Sequence, residues 1–406
     1  MIHYMTTNGV GNAWVGNELR VLAREGIPFV LHSLIRPATT FFASEDVAAI
    51  DRAMRVIYPL GVARAVSSFV LAPLRFRRRF AGAFWNALTG ERESLRNRAV
   101  GAWHFFTACG WASGLTGERV SLIHSQWIHS GGTVAMYGAW LLGVPFSFTG
   151  HAADLFRERA ALADKIRRAD FIICISNFHR EFFLANGARP EQLHIAYCGI
   201  DTTSFSPSPR KRQPGQRFQI RSSGRLVEKK GFDYLIRACR ILRDRGVDFE
   251  CLIGGSGPLQ SELSRLIEEL GLGDCVSMTG QALKQEDIPT FMHGGDVYCL
   301  PCVWASDNDV DGLPQMLMEA MACGLPVIST RLVGIPDLII HEQTGLLVEP
   351  NQAEPIADAL QRAKDDPELS ARMAEAGRKF VIERFDLTNC LDPLLNQFRK
   401  YLEVRS

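Results

Sequence analysis

Two carboxylates, Asp311 and Glu319, are separated by seven residues and are the first candidates for chemistry in this chain. Between them, Gly312-Leu313-Pro314 opens a helical pattern that Gly324 ends. Pro314 suits the first helical turn, where its missing N–H costs nothing. The free N–H groups of a helix start favour an anion near Gly312 and Leu313, and Glu319 can reach a polar group beside that anion. This pattern predicts a site for a phosphorylated, hydroxyl-rich ligand.

Two glycine loops in the same half of the chain offer further contacts to such a ligand. The first, Gly224–Gly231, holds Arg225 and Lys230 between a predicted strand and a predicted helix. Arginine offers a fork of donors and lysine a compact charge, so the loop could clamp a phosphate, although loop cations are usually solvated. The second, Gly254–Pro258, follows the next predicted strand, where the backbone could approach a flat or phosphorylated group. Both loops lie at the carboxyl ends of predicted parallel strands, where ligands of α/β proteins bind.

The first half of the chain offers weaker signals. His151 follows a predicted strand and would lie at the edge of a loop, in either a functional or a structural role. Gly9 and Gly11 follow the first predicted strand, but Trp14 interrupts the GxGxxG fingerprint and no acidic residue ends the second strand. A nicotinamide dinucleotide site is therefore disfavoured. The turn either lets a substrate approach the first helix or is purely structural.

Short apolar runs alternate with helical patterns along both halves, which predicts parallel sheets covered on both faces. The polar, proline-rich and basic segment 202–216 is the best candidate for a linker. The sequence therefore predicts an α/β protein with domains at 1–205 and 206–386 and a C-terminal helix at 387–406. Two such domains in tandem imply a cleft between them, where ligands commonly bind.

Composition narrows the class of protein. A chain of 406 residues with 47% hydrophobic and 22% charged residues is typical of a folded two-domain protein, and a net charge of +1 gives no case for nucleic acid. Ten scattered cysteines, Cys299 and Cys302 among them, suggest buried, reduced thiols in a cytoplasmic protein. Neither a signal peptide nor a membrane-spanning run is evident.

Together these motifs resemble those of the family 4 retaining glycosyltransferases, which have the GT-B fold. GRLVEKKG is similar to the family's phosphate loop, and GGSGPL is similar to its base-side turn. DGLPQMLMEAMACGLPVIST, followed by GIPD, is similar to the family's E-x7-E signature. Four segments of the first half resemble bacterial members that build exopolysaccharides or lipid-linked saccharides: HSQWIHSGG, SFTGHAADLF, ISNFHREFF and CGIDTTSF.

The resemblance implies an acceptor-binding and a nucleotide-sugar-binding Rossmann-like domain facing a deep cleft, with the C-terminal helix returning towards the first domain. It implies transfer of a sugar from a UDP- or GDP-sugar to a saccharide acceptor, expected to be polyprenyl-linked. Arg225 and Lys230 would hold the diphosphate, Glu319 the ribose hydroxyls, and Asp311 the donor sugar or phosphate, while His151 would lie by the reacting sugar. The other implied contacts are Gly224, Gly255, Gly257, Gly312, Leu313 and Pro314 for the donor, and Gly9 and Gly11 for the acceptor or phosphate.

Two departures from the family pattern are visible. Asp311 is one methylene shorter than the usual Glu, and the glycine loop at 9–16 lacks the usual adjacent pair of glycines.

The acidic loop also resembles the first half of an EF-hand calcium loop, through Asp307, Asp309 and Asp311. The twelfth position of such a loop needs a bidentate Glu, and here it is Met318. We expect no cofactor and no essential divalent metal, because an Arg/Lys clamp could neutralise the diphosphate. A metal bound by Asp307 or Asp309 with substrate phosphates is the alternative.

The segment Arg64–Phe80 combines apolar and aromatic residues with a cluster of arginines. Such a segment suits a membrane interface with anionic lipid head groups, but it equally suits a packed helix with solvated arginines. The first interpretation favours a lipid-linked acceptor and a peripheral position on the inner face of the cytoplasmic membrane.

The mechanistic hypothesis is transfer with retention at the anomeric carbon. Domain closure would bring His151 over the donor, while Arg225 and Lys230 stabilise the charge on the leaving diphosphate. Asp154 is a weak candidate for a nucleophile, so a front-face route assisted by the leaving phosphate is favoured. The alternative function is a non-catalytic, nucleotide-sugar-binding or scaffolding subunit of a membrane-associated glycan assembly.

Overall fold

The computed structural model describes residues 1–37, 45–157, 159–207 and 215–403. Its strands are β1 Ile2–Thr6, β2 Phe29–Ser33, β3 Arg55–Val56, β4 Leu122–Ser125, β5 Phe146–Gly150, β6 Phe171–Cys174, β7 Leu193–Ile195, β8 Phe218–Ser223, β9 Phe249–Gly254, β10 Val276–Met278, β11 Val297–Leu300, β12 Val327–Thr330 and β13 Leu346–Val348. Its α-helices are α1 Ala13–Arg24, α2 Glu45–Ala53, α3 Val62–Phe76, α4 Arg78–Thr89, α5 Leu95–Gly114, α6 Ser130–Leu142, α7 Leu162–Arg168, α8 Asn177–Ala185, α9 Phe232–Asp244, α10 Gln260–Glu269, α11 Ile288–His293, α12 Gln315–Ala322, α13 Ile335–Leu338, α14 Ala353–Asp365, α15 Pro367–Phe385, α16 Leu387–Cys390 and α17 Asp392–Glu403.

Two parallel sheets organise these elements. The first has the strand order β3-β2-β1-β4-β5-β6-β7 and the second the order β10-β9-β8-β11-β12-β13. This arrangement confirms the predicted fold class of two Rossmann-like α/β domains. Each order reverses direction once, between β1 and β4 in the first sheet and between β8 and β11 in the second. Ligands of such sheets bind at the carboxyl ends of the strands beside the reversal, so the loops after these four strands are the places to examine.

Contacts divide the chain into two units. The first comprises Met1–Tyr197 and the end of the chain from Leu391 onward, and the second comprises Cys198–Cys390. Helix α17 therefore returns to the first unit, where the ring of Phe398 lies 5.1 Å from that of His124. Buried Leu394 and Leu395 belong to the same face of α17, so hydrophobic burial holds the helix in place.

The beginning of the predicted linker at 202–216 is packed against the second unit. Thr202–Ser204 forms a 3₁₀ turn, and the amide and hydroxyl of Thr202 both donate to the carboxylate of Asp386. Residues 208–214, which carry the basic part of this prediction, lie outside the described part of the chain. The first residues of the predicted linker therefore belong to the folded second unit, because buried hydrogen bonds fix them there.

Helices α2 to α5 fill the long segment between β2 and β4. The predicted single basic segment Arg64–Phe80 is divided between α3 and α4, because Arg77 adopts a left-handed φ of 52°. The side chain of Arg64 lies outside the described part. Helix α5 packs against α3, α4 and α6, with the rings of Phe69 and Phe106 5.2 Å apart. Among the described residues, no helix has the length and apolar content needed to cross a bilayer.

All ten cysteines are free thiols, and nine of them are buried. The pair with CxxC spacing, Cys299 and Cys302, lies at the end of β11, and both side chains are inaccessible to solvent. Burial raises the pKa of both thiols well above the ordinary value. These cysteines therefore act as small apolar core residues, as the sequence predicts.

Candidate functional site

A cluster of lysines and aspartates lies at the carboxyl ends of β8 and β11 in the second unit. Lys230 Nζ is 2.6 Å from Asp311 Oδ2, while Lys229 Nζ is 3.2 Å from Asp311 Oδ1 and 3.1 Å from Asp309 Oδ2. Burial alone would raise the pKa of Asp311, but the two ammonium groups outweigh burial and hold the pKa below its usual value. Burial likewise opposes the charge of Lys230, but Asp311 raises the pKa of this lysine. Asp311 and Lys230 are therefore both ionised at neutral pH.

The acidic loop before α12 is bound to the lysine-bearing loop after β8. Ser306 donates from its amide and hydroxyl to the Glu228 carboxylate, at 2.9 and 2.7 Å, and the amide of Val303 donates to the carbonyl of Lys229 at 3.0 Å. The amide of Asp309 donates to Asp307 Oδ1 at 3.0 Å. No group of His, Cys, Asp and Glu side chains in the described ranges is arranged to hold a metal ion. Asp309 instead neutralises Lys229.

The glycines of the predicted phosphate loop, Gly224–Gly231, and of the predicted base-side turn, Gly254–Pro258, allow these two loops to pack backbone against backbone. Gly255 has a φ of 149°, and a Cβ there would lie 1.9 Å from the carbonyl oxygen of Gly224. A Cβ on Gly257 would lie 2.6 Å from the carbonyl oxygen of Leu226. The side chain of Arg225 projects from this tight pair of loops into solvent, and the described residues give it no hydrogen-bond or ion-pair partner. It is therefore available to an anion.

Glu319 occupies the buried face of α12 and is only 5% exposed. Its Oε1 accepts a hydrogen bond from Gln285 Nε2 at 3.3 Å, whereas its Oε2 has no partner among the described residues. Burial raises the pKa of Glu319 to about 7, against the opposing effects of Gln285 and of the nearby charge of Lys230. A buried acceptor without a partner is costly, so this oxygen is suited to receive a hydroxyl group from a ligand.

Helix α12 begins one residue later than the sequence predicts. Pro314 lies just before the helix with φ −68° and ψ 116°, rather than in its first turn. Gly324 has a φ of 69° directly after the helix, which confirms its predicted role as the terminating residue. Gly312, Leu313 and Pro314 are buried, and the carbonyl of Gly312 accepts from the amide of Gly334 at 3.0 Å. These contacts fix the approach to the helix start beside Asp311.

Three residues of this site escape prediction from sequence. Lys229 shares the aspartates with Lys230, and Gln285 orients Glu319. The buried hydroxyl of Tyr298 lies 3.0 Å from the hydroxyl of Ser223 and 3.2 Å from its amide nitrogen, which fixes the end of β8. Gln285 is distant in sequence from Glu319 and belongs to no motif, so only the tertiary structure identifies it. For Lys229 the sequence does contain a signal, because this residue directly precedes Lys230 in the glycine loop.

His151 lies in the first unit at the carboxyl end of β5, beside the reversal of the first sheet. It lies in the loop directly after β5, where the sequence places it, but it is only 7% exposed, because two tryptophan rings cover it. The ring centroids of Trp14 and Trp127 lie 4.1 and 5.0 Å from that of His151, and 5.4 Å from each other. Both tryptophans are half-buried, so an aromatic surface surrounds the imidazole. The signal in the sequence that could have identified Trp14 as part of this site is its position within the glycine loop at 9–16.

The imidazole of His151 is neutral. Burial lowers its pKa to about 3, assisted by His179, while the backbone of Gln126 acts in the opposite direction. Nε2 is buried and has no hydrogen-bond partner among the described residues. A polar ligand group that reaches Nε2 would satisfy this nitrogen. Asp154 Oδ2 accepts from the amide of Ile128 at 3.0 Å and holds the neighbouring loop.

The glycine turn after β1 is a compact structure. Gly9 is buried with a φ of 48°, and its amide donates to Ser33 Oγ at 2.7 Å. A Cβ on Gly9 would lie 2.8 Å from the sulfur of Met54, so close packing requires glycine there. Gly11 is half-buried, and its amide donates to the carbonyl of Asn8 at 3.0 Å. Gly9 therefore has a packing role, and a contact of either glycine with an acceptor stays a prediction.

Two sequence families match the two halves of the chain. The family described as "Glycosyltransferase Family 4" matches residues 20–204, and the family described as "Glycosyl transferases group 1" matches residues 207–380. The chain is 40% identical over 194 residues to WcaL, a candidate colanic acid biosynthesis glycosyltransferase of Escherichia coli (strain K12), covering 48% of this chain and 47% of WcaL. It is 32% identical over 235 residues to a GDP-mannose-dependent alpha-(1-6)-phosphatidylinositol monomannoside mannosyltransferase of Mycolicibacterium smegmatis, covering 56% and 61%.

These alignments span about half the length of the curated relatives that the chain matches. Solved structures resemble the chain over its whole length. HepE of Anabaena, crystallised in complex with UDP, superimposes with a TM-score of 0.72 at 17% identity, covering 98% of this chain and 99% of HepE. At this level of identity the likeness establishes the fold alone.

Proposed function

Because this chain belongs to the GT-B glycosyltransferases of the family 4 type, we propose that it transfers a sugar from a nucleoside diphosphate sugar to a saccharide acceptor, in the synthesis of an exopolysaccharide or glycolipid. The observation that carries the proposal is Glu319, a buried carboxylate with an unpartnered oxygen within the electrostatic influence of Lys230. A nucleoside diphosphate supplies an anion for Lys230, and its ribose supplies hydroxyl groups for Glu319.

Donor binding rests on the charge of the second unit. Arg225 is exposed, and Lys229 and Lys230 lie beside it in the loop after β8. In the free protein the two lysines are neutralised by Asp309 and Asp311. A bound diphosphate brings further negative charge to this loop, and Arg225 supplies the additional cation through charge-assisted hydrogen bonds. Glu319 then accepts hydrogen bonds from the ribose hydroxyls.

We propose the following chemical step for a donor held in this way. The bond between the anomeric carbon and the diphosphate oxygen breaks, and its electron pair stays on the leaving group, where Arg225 and Lys230 stabilise the growing charge. The acceptor hydroxyl attacks from the same face, with retention, and its proton passes to an oxygen of the leaving phosphate. His151 is neutral and its Nε2 is unpartnered among the described residues, so it forms a hydrogen bond with a sugar hydroxyl rather than acting as a cation.

The donor is a UDP- or GDP-sugar. One relative is named for its dependence on GDP-mannose, and one structural neighbour was crystallised with UDP. The acceptor is a lipid-linked saccharide, since the same relative is named for a glycolipid acceptor. We place the reaction at the cytoplasmic face of a membrane, where such an acceptor presents its sugar, with no essential divalent metal.

Sugar transfer from UDP- and GDP-sugars to lipid-linked saccharides, measured as nucleoside diphosphate release, tests the proposal. Arg225→Ala and Glu319→Ala should each lose most of the activity, whereas Glu375→Gln, an exposed carboxylate on α15, should retain it. A chain that binds a nucleoside diphosphate sugar but never releases the sugar to any acceptor would instead be a non-catalytic subunit. Binding of neither nucleotide would contradict both functions.

A further inference from the structure

Exposed apolar side chains are concentrated on one part of the first unit. In the described part of the chain, ten of the fifteen exposed large apolar side chains lie on α3, α4 and α5. They are Val66, Val70, Leu71, Leu74, Phe84, Trp85, Leu88, Leu95, Val100 and Trp103. Contiguous exposed apolar surface of this kind marks an interaction site rather than ordinary surface variation. We call these ten residues the α3–α5 surface.

The surface lies on the outward side of helices whose other side is packed. On α3, Val66, Val70 and Leu74 follow a spacing of four residues, while Ala72 and Phe76 are buried on the opposite side. Leu74 is 76% exposed, although its helix is anchored to α5. The packing of α3 therefore leaves an apolar stripe facing away from the domain, which is the reverse of the usual pattern for a surface helix.

Ring contacts make the surface continuous across the three helices. Phe80 joins Phe84 of α4, at 5.7 Å, to Phe69 of α3, at 6.1 Å. Phe106 joins Trp103 of α5, at 5.4 Å, to the same Phe69, at 5.2 Å. Half-buried aromatic rings thus lie beneath the exposed side chains and connect them. The ring contacts therefore connect exposed Phe84 and Trp103 across α3, α4 and α5 through one shared aromatic layer.

The same segment is strongly basic. Between positions 62 and 90 the chain has five arginines and no acidic residue, although the whole protein is nearly neutral. Arg75, Arg77 and Arg78 are exposed at the junction of α3 and α4, next to the apolar stripe. Arg79 is also exposed and donates to the carbonyl of Leu142 at 2.8 Å. The occupant of this surface therefore has to be apolar at its centre and negatively charged at its edge.

We propose that the α3–α5 surface binds the interface of a bilayer that contains anionic phospholipids. In this arrangement Leu74 and Val70 insert among the acyl chains, and the arginines pair with the lipid phosphates. The exposed indoles of Trp85 and Trp103 suit the boundary between the acyl chains and the phosphate layer. A second copy of the chain fits poorly, because a symmetric contact would bring two clusters of arginine together. The inference does not depend on the sugar chemistry, since it concerns a different part of the first unit.

Vesicle co-sedimentation of the full chain tests the proposal, with vesicles containing phosphatidylglycerol and vesicles of phosphatidylcholine alone. The chain should bind the anionic vesicles and bind the zwitterionic vesicles much less. Arg75→Gln/Arg78→Gln should lower the partition coefficient by roughly 25-fold, from about fivefold per arginine at an anionic surface. Leu74→Ser/Trp85→Ser should lower it at least about tenfold through lost apolar burial.

Matched controls change the same residue types elsewhere. Arg265→Gln/Arg372→Gln removes two exposed arginines from the second unit, and Ile35→Ser/Ile340→Ser removes two exposed apolar side chains outside the surface. Both controls should bind anionic vesicles as the wild type does, and every variant should retain nucleotide binding. Equal vesicle binding by the four double variants would overturn the proposal. So would a dimer in light scattering that Leu74→Ser/Trp85→Ser converts to monomer without any change in vesicle binding.

Discussion

Replacement of Glu319 by glutamine should make the protein more stable and less able to bind its donor. The substitution keeps the shape of the side chain and can keep the hydrogen bond with Gln285. It removes a carboxylate that is 5% exposed and has one unpartnered oxygen. In the free protein such a charge lowers stability, because no described residue donates a hydrogen bond to Oε2.

The magnitude follows from the pKa. Burial raises the pKa of Glu319 from 4.5 to about 7, and each pKa unit corresponds to 1.36 kcal/mol. An acid whose pKa is higher in the folded state leaves the free energy of unfolding unchanged at a pH below its unfolded pKa. As the pH rises from there towards the folded pKa, the acid lowers the free energy of unfolding increasingly. The wild type should therefore lose about 3 kcal/mol of stability relative to Glu319→Gln between about pH 4.5 and pH 7.5.

Urea denaturation at about pH 5 and about pH 8 measures this difference. The two proteins should be nearly equally stable at the lower pH, and Glu319→Gln should be more stable at the higher pH. Glu375→Gln, an exposed carboxylate on α15, is the control and should show no such divergence. Titration with nucleoside diphosphate should show roughly 10- to 100-fold weaker binding by Glu319→Gln, from the loss of charge-assisted hydrogen bonds. An unchanged pH dependence, or full nucleotide affinity, would refute the reasoning.

Three further substitutions and one matched control, Gly246→Ala, separate binding from folding. Asp311→Asn removes the shared counter-charge of two lysines and should cost about 3 kcal/mol in urea denaturation at neutral pH; a change below about 0.5 kcal/mol would show that the pair is not buried. Arg225→Ala should change stability by less than about 0.5 kcal/mol, because the side chain is exposed, but should weaken nucleoside diphosphate binding at least about tenfold in calorimetry. Gly255→Ala should prevent the second unit from folding, because its Cβ would overlap the carbonyl of Gly224. Gly246→Ala, which also has a positive φ but open space, should cost only about 1 kcal/mol in circular dichroism melts.

The fold was predictable because both halves carry strong local signals. Apolar runs such as β1 and β8 are bounded by glycine turns, and their alternation with helical patterns requires parallel sheets. The helices α3 to α5 were harder to predict, since their outward faces carry exposed apolar residues in addition to the apolar residues that they bury. The break between α3 and α4 depends on one left-handed residue, Arg77, whose conformation no local propensity indicates.

The candidate site was predictable where residues adjoin in sequence. Arg225 and Lys230 lie in the loop after β8, Asp311 lies shortly before α12 and Glu319 lies on α12, so motif and spacing select all four as candidates. What the sequence does not reveal is that Asp311 binds the lysines in the free protein, because that pairing joins loops after β8 and β11. The burial of His151 between tryptophans is likewise a tertiary feature, since Trp14 and Trp127 come from two other segments of the chain.

Calorimetric titration of the intact chain with UDP and GDP, for the wild type and for Lys230→Met, tests the central claim most directly. Lys229 remains to neutralise Asp311, so the variant should fold. The wild type should bind at least one of the two nucleotides, and Lys230→Met should lose that binding while its thermal unfolding is retained. If the wild type binds neither nucleotide, or if Lys230→Met binds as tightly as the wild type, the second unit does not hold the donor in the manner described.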